Sequence, residues 1–588
     1  MTIARQPLTI VEIDIDQCTL TYGAGACTAV LGTDGVRKCF NTFPTCQDQV
    51  NYDKGALTLR FTYNQVGTPK IAGIYPALQS VSTNPIEINL SGIDPRTTAL
   101  GKRARISVSL LDFEDDDNYT DQYQAERVSG AAQSSGVGYD TARGRFFSKL
   151  LARSPYYVGR PLRVKRGYVG DDIATMPTAH YVISEWDGPN ASGKVSIVAK
   201  DVLDLVDKEK AVAPAPSPGK LSSEMTDTAT TFDLVPAGIG DTDYPASGRV
   251  CVGREVMTFT RSSDTMTIVN RAVDGTSASS HNINDVAQLC LRYDGDRACD
   301  IINDLLTVQG PVDSAFVDLP TWQDEEDSWL GGTQFSTTIT EPTGIAQLVG
   351  ELCVHGMYVW WNEVDQEINF RANRPVSPGE AVSTLSDSVN FIEGSLQIDR
   401  SNDQRVSSIN FWHGMIDPTD SATDGTNYSK LVIAADLSAS SANEYDESRI
   451  KTMYSRWFGQ TGNDAFAAVV AERLVARYRD TPTVITGLLD IADAGIAPAD
   501  IVDVTTYLIN DATGLSESQR FQISRVEDKD QRISFRAESY SIDGRYAFWM
   551  TDPQADYSTA TDEEKATGAF WADEAATDEL GLNPYVYF

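Results

Sequence analysis

The chain has 588 residues, more than one hydrophobic core can organise, so its length predicts about three to five folding units. A hydrophobic content of 41% and a charged content of 22% are typical of globular proteins and exclude a disordered chain. The formal net charge of −35 repels nucleic-acid phosphate and argues against a DNA-binding protein. No apolar run approaches the roughly 20 residues that span a bilayer, so no transmembrane segment is expected.

Half of the 8 cysteines lie within the first 50 residues, at Cys18, Cys27, Cys39 and Cys46. Their spacing is Cys-x8-Cys-x11-Cys-x6-Cys. Gly, Ala, Thr and Pro in the intervals favour loops that bend four side chains toward one point. Four converging thiolates are the ligand set of a structural zinc ion or an iron–sulfur cluster, so this stretch is the first candidate site.

Four interpretations of this quartet compete. Two disulfides rank third, because the start MTIARQPLTIVEID lacks the apolar run and the cleavage site of a secretory signal. Zinc ranks second, because no interval is as short as in the usual Cys-x2–4-Cys knuckles. An iron–sulfur cluster ranks first, because it is a larger object whose ligands can be more widely spread, although no spacing is diagnostic. Four ordinary buried cysteines remain the alternative without a metal, and the density of the quartet ranks it below the metal sites.

Alternating apolar residues predict strands from about 56 to 110, with Ile106, Val108 and Leu110 on one face. The acidic run 114–117 then offers oxygen ligands that suit calcium. It lacks the glycine and glutamate spacing of an EF-hand loop, so we favour a solvated turn.

A strongly basic region follows at 143–166, where arginines and lysines are mixed with aromatic residues, a pattern that can bind single-stranded nucleic acid. We favour a short helix whose apolar stripe is Phe146, Phe147, Leu150 and Leu151. Because the chain is so negative overall, the arginines are expected to contact an acidic neighbouring subunit instead of nucleic acid. Three more strands are predicted, at PLRVKRGYVG, AHYVISEWDG and KVSIVAKDVLDLVD.

AVAPAPSPGK, residues 211–220, is rich in Pro and Ala and predicts a linker between domains. Closely spaced turn signals in 221–293 predict a small β-barrel or sandwich. His281 ends this segment with no second histidine nearby, so we interpret it as a surface or packing residue.

From about residue 294, apolar residues at helical spacing predict one helix. A second predicted helix further along continues into a β-hairpin. Trp360 and Trp361 in the hairpin could stack on sugars, but adjacent strand residues face opposite ways, so at least one is expected in the core. Cys353 and His355 suggest a nucleophile and its base, yet no orienting or oxyanion motif accompanies them. We therefore predict that Cys353 is a core residue.

Residues 464–482 predict an amphipathic helix with Asp464 as its cap and Pro482 beyond its end. Strands with a Pro-x-Asp-[IV]-Val turn at 498–502 follow and are expected to close a barrel. The last stretch is acidic and aromatic, and we predict an arm that docks on a neighbouring subunit or fibre. The helix presents one four-spaced apolar row: Phe466, Val470, Leu474 and Tyr478.

The cysteine-rich stretch resembles tail-tip proteins of long-tailed bacteriophages and gene transfer agents. The similar wording is DQCTLTYG, CTA, KCFNTFPTCQD and NYDKG, and its most specific part runs from Cys39 to Asp48. The resemblance implies an iron–sulfur cluster, commonly 4Fe-4S, held by the quartet Cys18, Cys27, Cys39 and Cys46. The choice of iron over zinc rests on this resemblance. Residues 221–293 and 400–540 are also similar to phage tail accessory domains and to the second barrel of a baseplate hub.

The resemblance implies a structural hub at the virion tail tip. The hub is expected to form a homotrimer or another ring about the tail axis and to be assembled in the host cytoplasm. Its implied partners are further copies of itself, a distal tail protein, central tip or fibre proteins and the tape measure protein. DNA would be only passing cargo during genome ejection. We expect no enzyme, because the 4 histidines are scattered and no hydrolase constellation is recognisable. The alternative is a tail-associated protein with a zinc site that binds the host envelope or degrades cell wall.

The fold class expected is mainly β with some α, in several domains: tail-tube-like β-barrel hub modules and a small β accessory domain. The expected units are a cysteine-rich metal-binding lobe (1–60), a first hub β-barrel module (61–210), the linker (211–220), the accessory domain (221–293), a second hub α+β barrel module (294–545) and the C-terminal arm (546–588).

Overall fold

The computed structural model describes residues 6–29, 39–64, 73–90, 100–117, 119–121, 144–207, 209–330, 333–374, 376, 382–387, 389–459, 463–490, 495–529, 532–540, 545–550, 569–571 and 586–587. Strands dominate this part of the chain and helices are few and short, which confirms the mainly β, multidomain fold class. None of the helices within these ranges is long and apolar enough to cross a membrane.

The first module is a closed barrel with the strand order β1-β2-β3-β4-β7-β6-β5. The β2–β3 pair is parallel and the other pairs are antiparallel, and β1 closes the ring by pairing with both β2 and β5. The strands are β1 Pro7–Cys18, β2 Lys54–Tyr63, β3 Ile74–Asn84, β4 Arg105–Leu111, β5 Pro161–Tyr168, β6 Thr178–Asp187 and β7 Lys194–Lys200.

The barrel core forms because apolar residues alternate along each strand, as the sequence predicts. Val11 and Ile13 of β1, for example, share one cluster with Ile106 and Val108 of β4. Helix α1, Phe146–Arg153, buries Phe146, Phe147 and Leu150 in the same cluster. The predicted short helix and its apolar stripe are therefore confirmed for these three residues.

The accessory domain is a six-stranded sheet in the order β14-β11-β12-β13-β10-β9, with a short helix α2, Ile239–Asp243. The residues predicted to be a linker are packed: Ala211 and Ala213 are buried, and β8, Val212–Ala213, pairs with a strand of the second module. The remaining strands are β9 Lys220–Leu221, β10 Thr231–Val235, β11 Ser247–Val252, β12 Glu255–Ser262, β13 Thr265–Asn270 and β14 Ala287–Leu289.

The second module mixes helices with several sheets. Strands predicted to close a barrel form an open six-stranded sheet instead, in the order β20-β26-β27-β28-β25-β21. A second sheet has the order β23-β22-β24, and β15–β16 and β18–β19 are separate pairs.

These strands are β15 Leu291–Asp296, β16 Phe335–Ile339, β17 Thr343–Gly344, β18 Met357–Asn362, β19 Glu367–Ala372, β20 Ser383–Ser386, β21 Gln397–Arg400, β22 Ser408–Met415, β23 Tyr428–Ala435, β24 Ile450–Ser455, β25 Thr483–Asp490, β26 Ile501–Asn510, β27 Ser516–Lys529 and β28 Arg532–Ser539. The helices are α3 Ala298–Thr307, α4 Leu319–Trp329, α5 Ile345–Cys353 and α6 Asp464–Tyr478.

Helix α6 has the predicted apolar row, with Val470, Leu474 and Tyr478 buried. Its N-cap is Asn463, in the left-handed region at φ 61°, so the expectation that Asp464 caps it was wrong. Asp464 lies in the first turn, where its carboxylate pairs with Lys430 at 2.6 Å. The negative charge also interacts favourably with the positive end of the helix dipole.

The β18–β19 hairpin joins the two large modules. Trp360 belongs to the barrel core, whereas Trp361 belongs to the core of the second module, because adjacent strand residues face opposite ways. The Trp361 indole also donates a hydrogen bond to the His180 carbonyl of β6 at 3.2 Å. Both tryptophans are buried, so the core interpretation is confirmed for both.

Three short strands follow in the C-terminal stretch, in the order β30-β29-β31. The predicted arm at 546–588 lies largely outside the described residues. The strands are β29 Arg545–Met550, β30 Ala569–Trp571 and β31 Val586–Tyr587.

Candidate metal-binding lobe

Strand β1 carries the first cysteine to the end of the barrel. Its outward-facing positions bear Glu12, Asp14 and Asp16 in a row, and Cys18 is the next residue on that face. Glu12 and Asp14 pair with Arg163 of β5 at 2.9 and 2.6 Å. Burial alone would raise the pKa of both carboxyls, but the hydrogen bonds from Arg163 hold both pKa values below their usual range.

The positively charged partners of these acidic residues lie on β2 and directly before β5, the two strands that pair with β1. Arg60 pairs with Glu12 at 2.8 Å, and Lys54 and Arg160 both pair with Asp16. The register places Lys54 directly opposite Cys18. Cys18 therefore lies at the end of a strand whose acidic residues are all paired with cations and which is hydrogen-bonded to a strand on each side.

A loop returns to Cys18 and brings the third and fourth cysteines with it. The Cys18 N–H donates to the Asn41 carbonyl at 2.6 Å, and the Asn41 N–H donates to Cys39 Sγ at 3.4 Å. A turn of 3-10 helix, Phe43–Thr45, ends where the Cys46 N–H donates to the Phe43 carbonyl. The Asp48 N–H then donates to Cys46 Sγ at 3.4 Å.

The second cysteine lies on a separate turn that is fastened to this loop. The Gly23 N–H donates to Cys27 Sγ at 3.5 Å. Both the N–H and the hydroxyl of Thr28 donate to Asp48 Oδ2, at 2.7 and 2.8 Å. Because Thr28 follows Cys27 and Asp48 lies two residues after Cys46, these bonds draw the two cysteines into one lobe. We call residues 18–29 and 39–53 the cysteine lobe.

Cys46 lies within the electrostatic influence of Cys18 and Cys27. Burial raises the pKa of Cys46, and the charges of Cys18 and Cys27 raise it further. The pKa of the nearby Tyr52 is raised to about 12, first by burial and then by Asp16, Cys18 and Cys46. Mutual repulsion of this kind is relieved when a cation is bound between thiolates.

All four cysteines of the lobe are free. In the described ranges, no three His, Cys, Asp or Glu side chains are grouped closely enough to hold a single metal ion. The ligand role of Cys18, Cys27, Cys39 and Cys46 therefore stays a prediction. Asn41 and Tyr52 lie beside these thiols, and no sequence signal marks them, because neither residue type is a usual metal ligand.

Helix α1 and the acidic turn anchor the lobe to the barrel. The Arg153 guanidinium lies over the Phe40 ring, 4.0 Å from its centre, and the Thr42 hydroxyl donates to the Arg153 carbonyl at 2.7 Å. Arg153 and Lys149 also pair with the buried Asp117, at 2.8 and 2.9 Å. Glu114 and Asp116 of the acidic run are exposed, as expected of a solvated segment, but Asp117 is buried and ion-paired, so the expectation of a solvated turn was wrong for that residue.

Much of the basic region is paired within this chain. Arg145, Lys149, Arg153, Arg160 and Arg163 all pair with carboxylates of this chain. The predicted contact with an acidic neighbouring subunit stays a prediction.

The other candidate residues are accounted for by packing. Burial raises the pKa of Cys353 to about 12 and lowers that of His355 to about 4, which suits neither a nucleophile nor its base. The His355 Nε2 lies 2.8 Å from the Ser455 hydroxyl. His281 is buried and hydrogen-bonded to Glu255 at 2.8 Å, so its interpretation as a packing residue is confirmed.

Comparisons with known proteins complete the description. No family model matches the chain, and no curated protein matches it. Among solved structures, it is similar to the 43 kDa tail protein of prophage MuSo2 from Shewanella oneidensis, with 10% identity, 79% of this chain and 98% of that chain covered, and a TM-score of 0.34. A tail protein from Neisseria meningitidis MC58 gives 12% identity, 79% and 97% coverage and a TM-score of 0.34. A chain from the virion of a gene transfer agent particle has 13% identity, with 35% of this chain and 41% of that chain covered, and a TM-score of 0.25.

Proposed function

We propose that this protein is a structural hub of a phage tail tip or baseplate, and that its cysteine lobe is held together by an iron–sulfur cluster. The observation that carries the proposal is the lobe itself: four free cysteines at the end of strand β1, on a turn and on a loop, with these segments hydrogen-bonded to one another and anchored to a closed barrel. The motif resemblance from Cys39 to Asp48 supports the assignment to a tail.

The donor set of the lobe fits a sulfur-ligated group. Three of the four Sγ atoms, those of Cys27, Cys39 and Cys46, already accept a backbone N–H bond, as ligand sulfurs of clusters commonly do. Each thiolate of a four-iron cluster binds its own iron, so the four sulfurs stand farther apart than around one ion. That wider spacing suits a quartet whose cysteines are separated by 8, 11 and 6 residues.

In the proposed site, Cys18, Cys27, Cys39 and Cys46 would be the ligands. When bound, the cluster would supply covalent cross-links between turns that have little core of their own. Cys18 would fix it to β1, and the chain around Cys39 and Cys46 would transmit the constraint through Phe40 and Thr42 to helix α1. The role of the group would thus be structural.

The assembly around this hub is also part of the proposal. Copies of the chain, proposed as a homotrimer, would surround the tail axis and connect the tail tube to distal tip proteins. A distal tail protein, central tip or fibre proteins and the tape measure protein are the proposed partners, and DNA would pass as cargo. The acidic surface, with a net charge of −35, supports passage of phosphate without retention.

The test is the metal content of full-length protein purified without air. We expect iron with acid-labile sulfide and a broad absorption near about 400 nm, as is typical of thiolate-ligated clusters. All three should be lost in Cys27→Ser and kept in Cys290→Ser, a control at a free cysteine of the accessory domain. Zinc without colour would replace the cluster by a zinc anchor, and protein with no metal would overturn the proposed cofactor.

A further inference from the structure

Asn41 is an unusual residue of the cysteine lobe. It is 1% exposed and adopts a left-handed backbone conformation at φ 59°. Its carbonyl accepts the Cys18 N–H and its own N–H donates to Cys39 Sγ, so its backbone bridges two of the four cysteines. The side chain, by contrast, has no hydrogen-bond partner at either Oδ1 or Nδ2 in this part of the chain. Buried carboxamides are almost always paired, so among the described residues this side chain is available to a bound group.

Tyr52 presents a second unpaired donor to the same region. Its ring packs edge-on against Phe43 at 5.3 Å, within the loop that carries Cys39 and Cys46. The next residue, Asp53, accepts a hydrogen bond from the Thr19 N–H at 3.0 Å, which places this segment beside the end of β1 at Cys18. The Tyr52 hydroxyl is buried and has no partner among the described atoms.

Both side chains carry hydrogen-bond donors, which a cluster sulfur does not have. An amide N–H and a phenol O–H are donors, whereas thiolate and sulfide sulfurs are acceptors only. Protein N–H and O–H bonds to cluster sulfurs stabilise the more negative, reduced form and so raise the reduction potential. They also occupy sulfur lone pairs that water or an oxidant would otherwise reach.

We propose that the Asn41 carboxamide and the Tyr52 hydroxyl donate hydrogen bonds to sulfur atoms of the group held by Cys18, Cys27, Cys39 and Cys46, an inference that rests on the proposed cluster. The two residues are not ligands. They tune and shield the cluster, and when it is bound the Asn41 Nδ2 and the Tyr52 hydroxyl gain acceptors for the hydrogen bonds they donate.

The test compares two pairs of variants of the full chain, purified without air. Tyr52→Phe removes only the hydroxyl and keeps the ring on Phe43. Its control is Tyr75→Phe, which also removes a buried, unpaired hydroxyl, but from the barrel core beside Phe61. Asn41→Gly removes the carboxamide and tolerates the positive φ. Its control is Asn463→Gly, where an asparagine has the same φ of 61° at the start of α6.

Four quantities are measured: iron and acid-labile sulfide per chain, the midpoint potential, the rate of bleaching in air, and the shift of the Fe–S stretching bands in deuterated water. We expect Tyr52→Phe to keep its iron, to have a lower midpoint potential and several-fold faster bleaching, and to lose part of the deuterium shift. Tyr75→Phe should match the wild type in all four. Asn41→Gly should change in the same direction relative to Asn463→Gly.

Failure of the inference and failure of the proposed cluster give different results. If the wild type holds iron and sulfide but both variants equal their controls, the hydrogen bonds are overturned while the cluster stands. If the wild type holds neither, the cluster and this inference fall together. If Asn41→Gly loses its iron or does not fold, Tyr52→Phe decides, because that variant changes one buried oxygen.

Discussion

The guanidinium carbon of Arg153 lies 4.0 Å from the centre of the Phe40 ring, and the same guanidinium makes two hydrogen bonds to Asp117, at 3.0 and 2.8 Å. One side chain thereby joins helix α1, the acidic turn and the loop between Cys39 and Cys46. The cysteine lobe is consequently coupled to helix α1 through this cation, in addition to the hydrogen bond from the Thr42 hydroxyl to the Arg153 carbonyl.

Replacing this cation should loosen the lobe. In Arg153→Met, Asp117 keeps Lys149 but loses two charge-assisted hydrogen bonds, which we expect to cost about 2 kcal/mol. Limited proteolysis should then cut within residues 18–53 faster than in the wild type. Arg254→Met is the matched control, because its pair with Asp420 is exposed and should contribute less than about 1 kcal/mol. Equal cleavage of both variants would refute the coupling.

The accessory domain should lose stability in acid through Glu255. Burial would raise its pKa, but hydrogen bonds from Arg271 and His281 outweigh burial and lower the pKa from 4.5 to about 2. A carboxyl with a depressed folded pKa stabilises the fold above about pH 4.5, and that contribution is lost as the pH falls toward about 2.

We therefore expect Glu255→Gln to destabilise this domain by about 3 kcal/mol near pH 7 and by progressively less below pH 4.5. Hydrogen exchange of β11 and β12 in the full chain, corrected for the intrinsic rate at each pH, measures the difference. A gap between wild type and variant that stays constant down to about pH 2 would contradict this account.

Gly275 allows the backbone of the accessory domain to approach the backbone of the second module closely. A Cβ there would lie 1.9 Å from the Ile416 carbonyl oxygen, and the residue has φ +86°. Gly275→Ala should therefore separate the two units, breaking the hydrogen bond from Thr338 to Asp274. Gly238→Ala is the control, because it has φ +87° with nothing within 4 Å of the added Cβ and should cost only about 1–2 kcal/mol of backbone strain.

Small-angle scattering of the full chain distinguishes the two glycine variants. Gly275→Ala should give a larger radius of gyration than the wild type, and Gly238→Ala should not. If the two variants scattered alike, the close approach to Ile416 would not be what holds the domains together.

The two tryptophans should report on different modules. Truncation of a buried tryptophan to alanine typically costs about 3–5 kcal/mol. Trp360→Ala should speed hydrogen exchange mainly in barrel strands β4 and β7, whereas Trp361→Ala should do so mainly in α3 and α5. Identical exchange patterns would mean that the hairpin belongs to one core only.

Residue patterns along the chain are enough to predict most of the local structure. Alternation at Ile106, Val108 and Leu110 predicted β4, and the four-spaced row at Val470, Leu474 and Tyr478 predicted α6, because burial on one face imposes these periods. The cysteine quartet was also evident, since its density is a property of the chain alone. A β-rich, multidomain protein could therefore be predicted.

Which residues come into contact depends on how the strands and loops pack in three dimensions. Arg163 pairs with Asp14 across 149 residues because β1 and β5 close the barrel, and no local pattern encodes that partner. The same closure turned the basic region inward to this chain's own carboxylates. Asn41 and Tyr52 became candidates only when their polar atoms proved to be buried and unpaired, and hydrogen-bond satisfaction is a property of three-dimensional packing that sequence spacing does not determine.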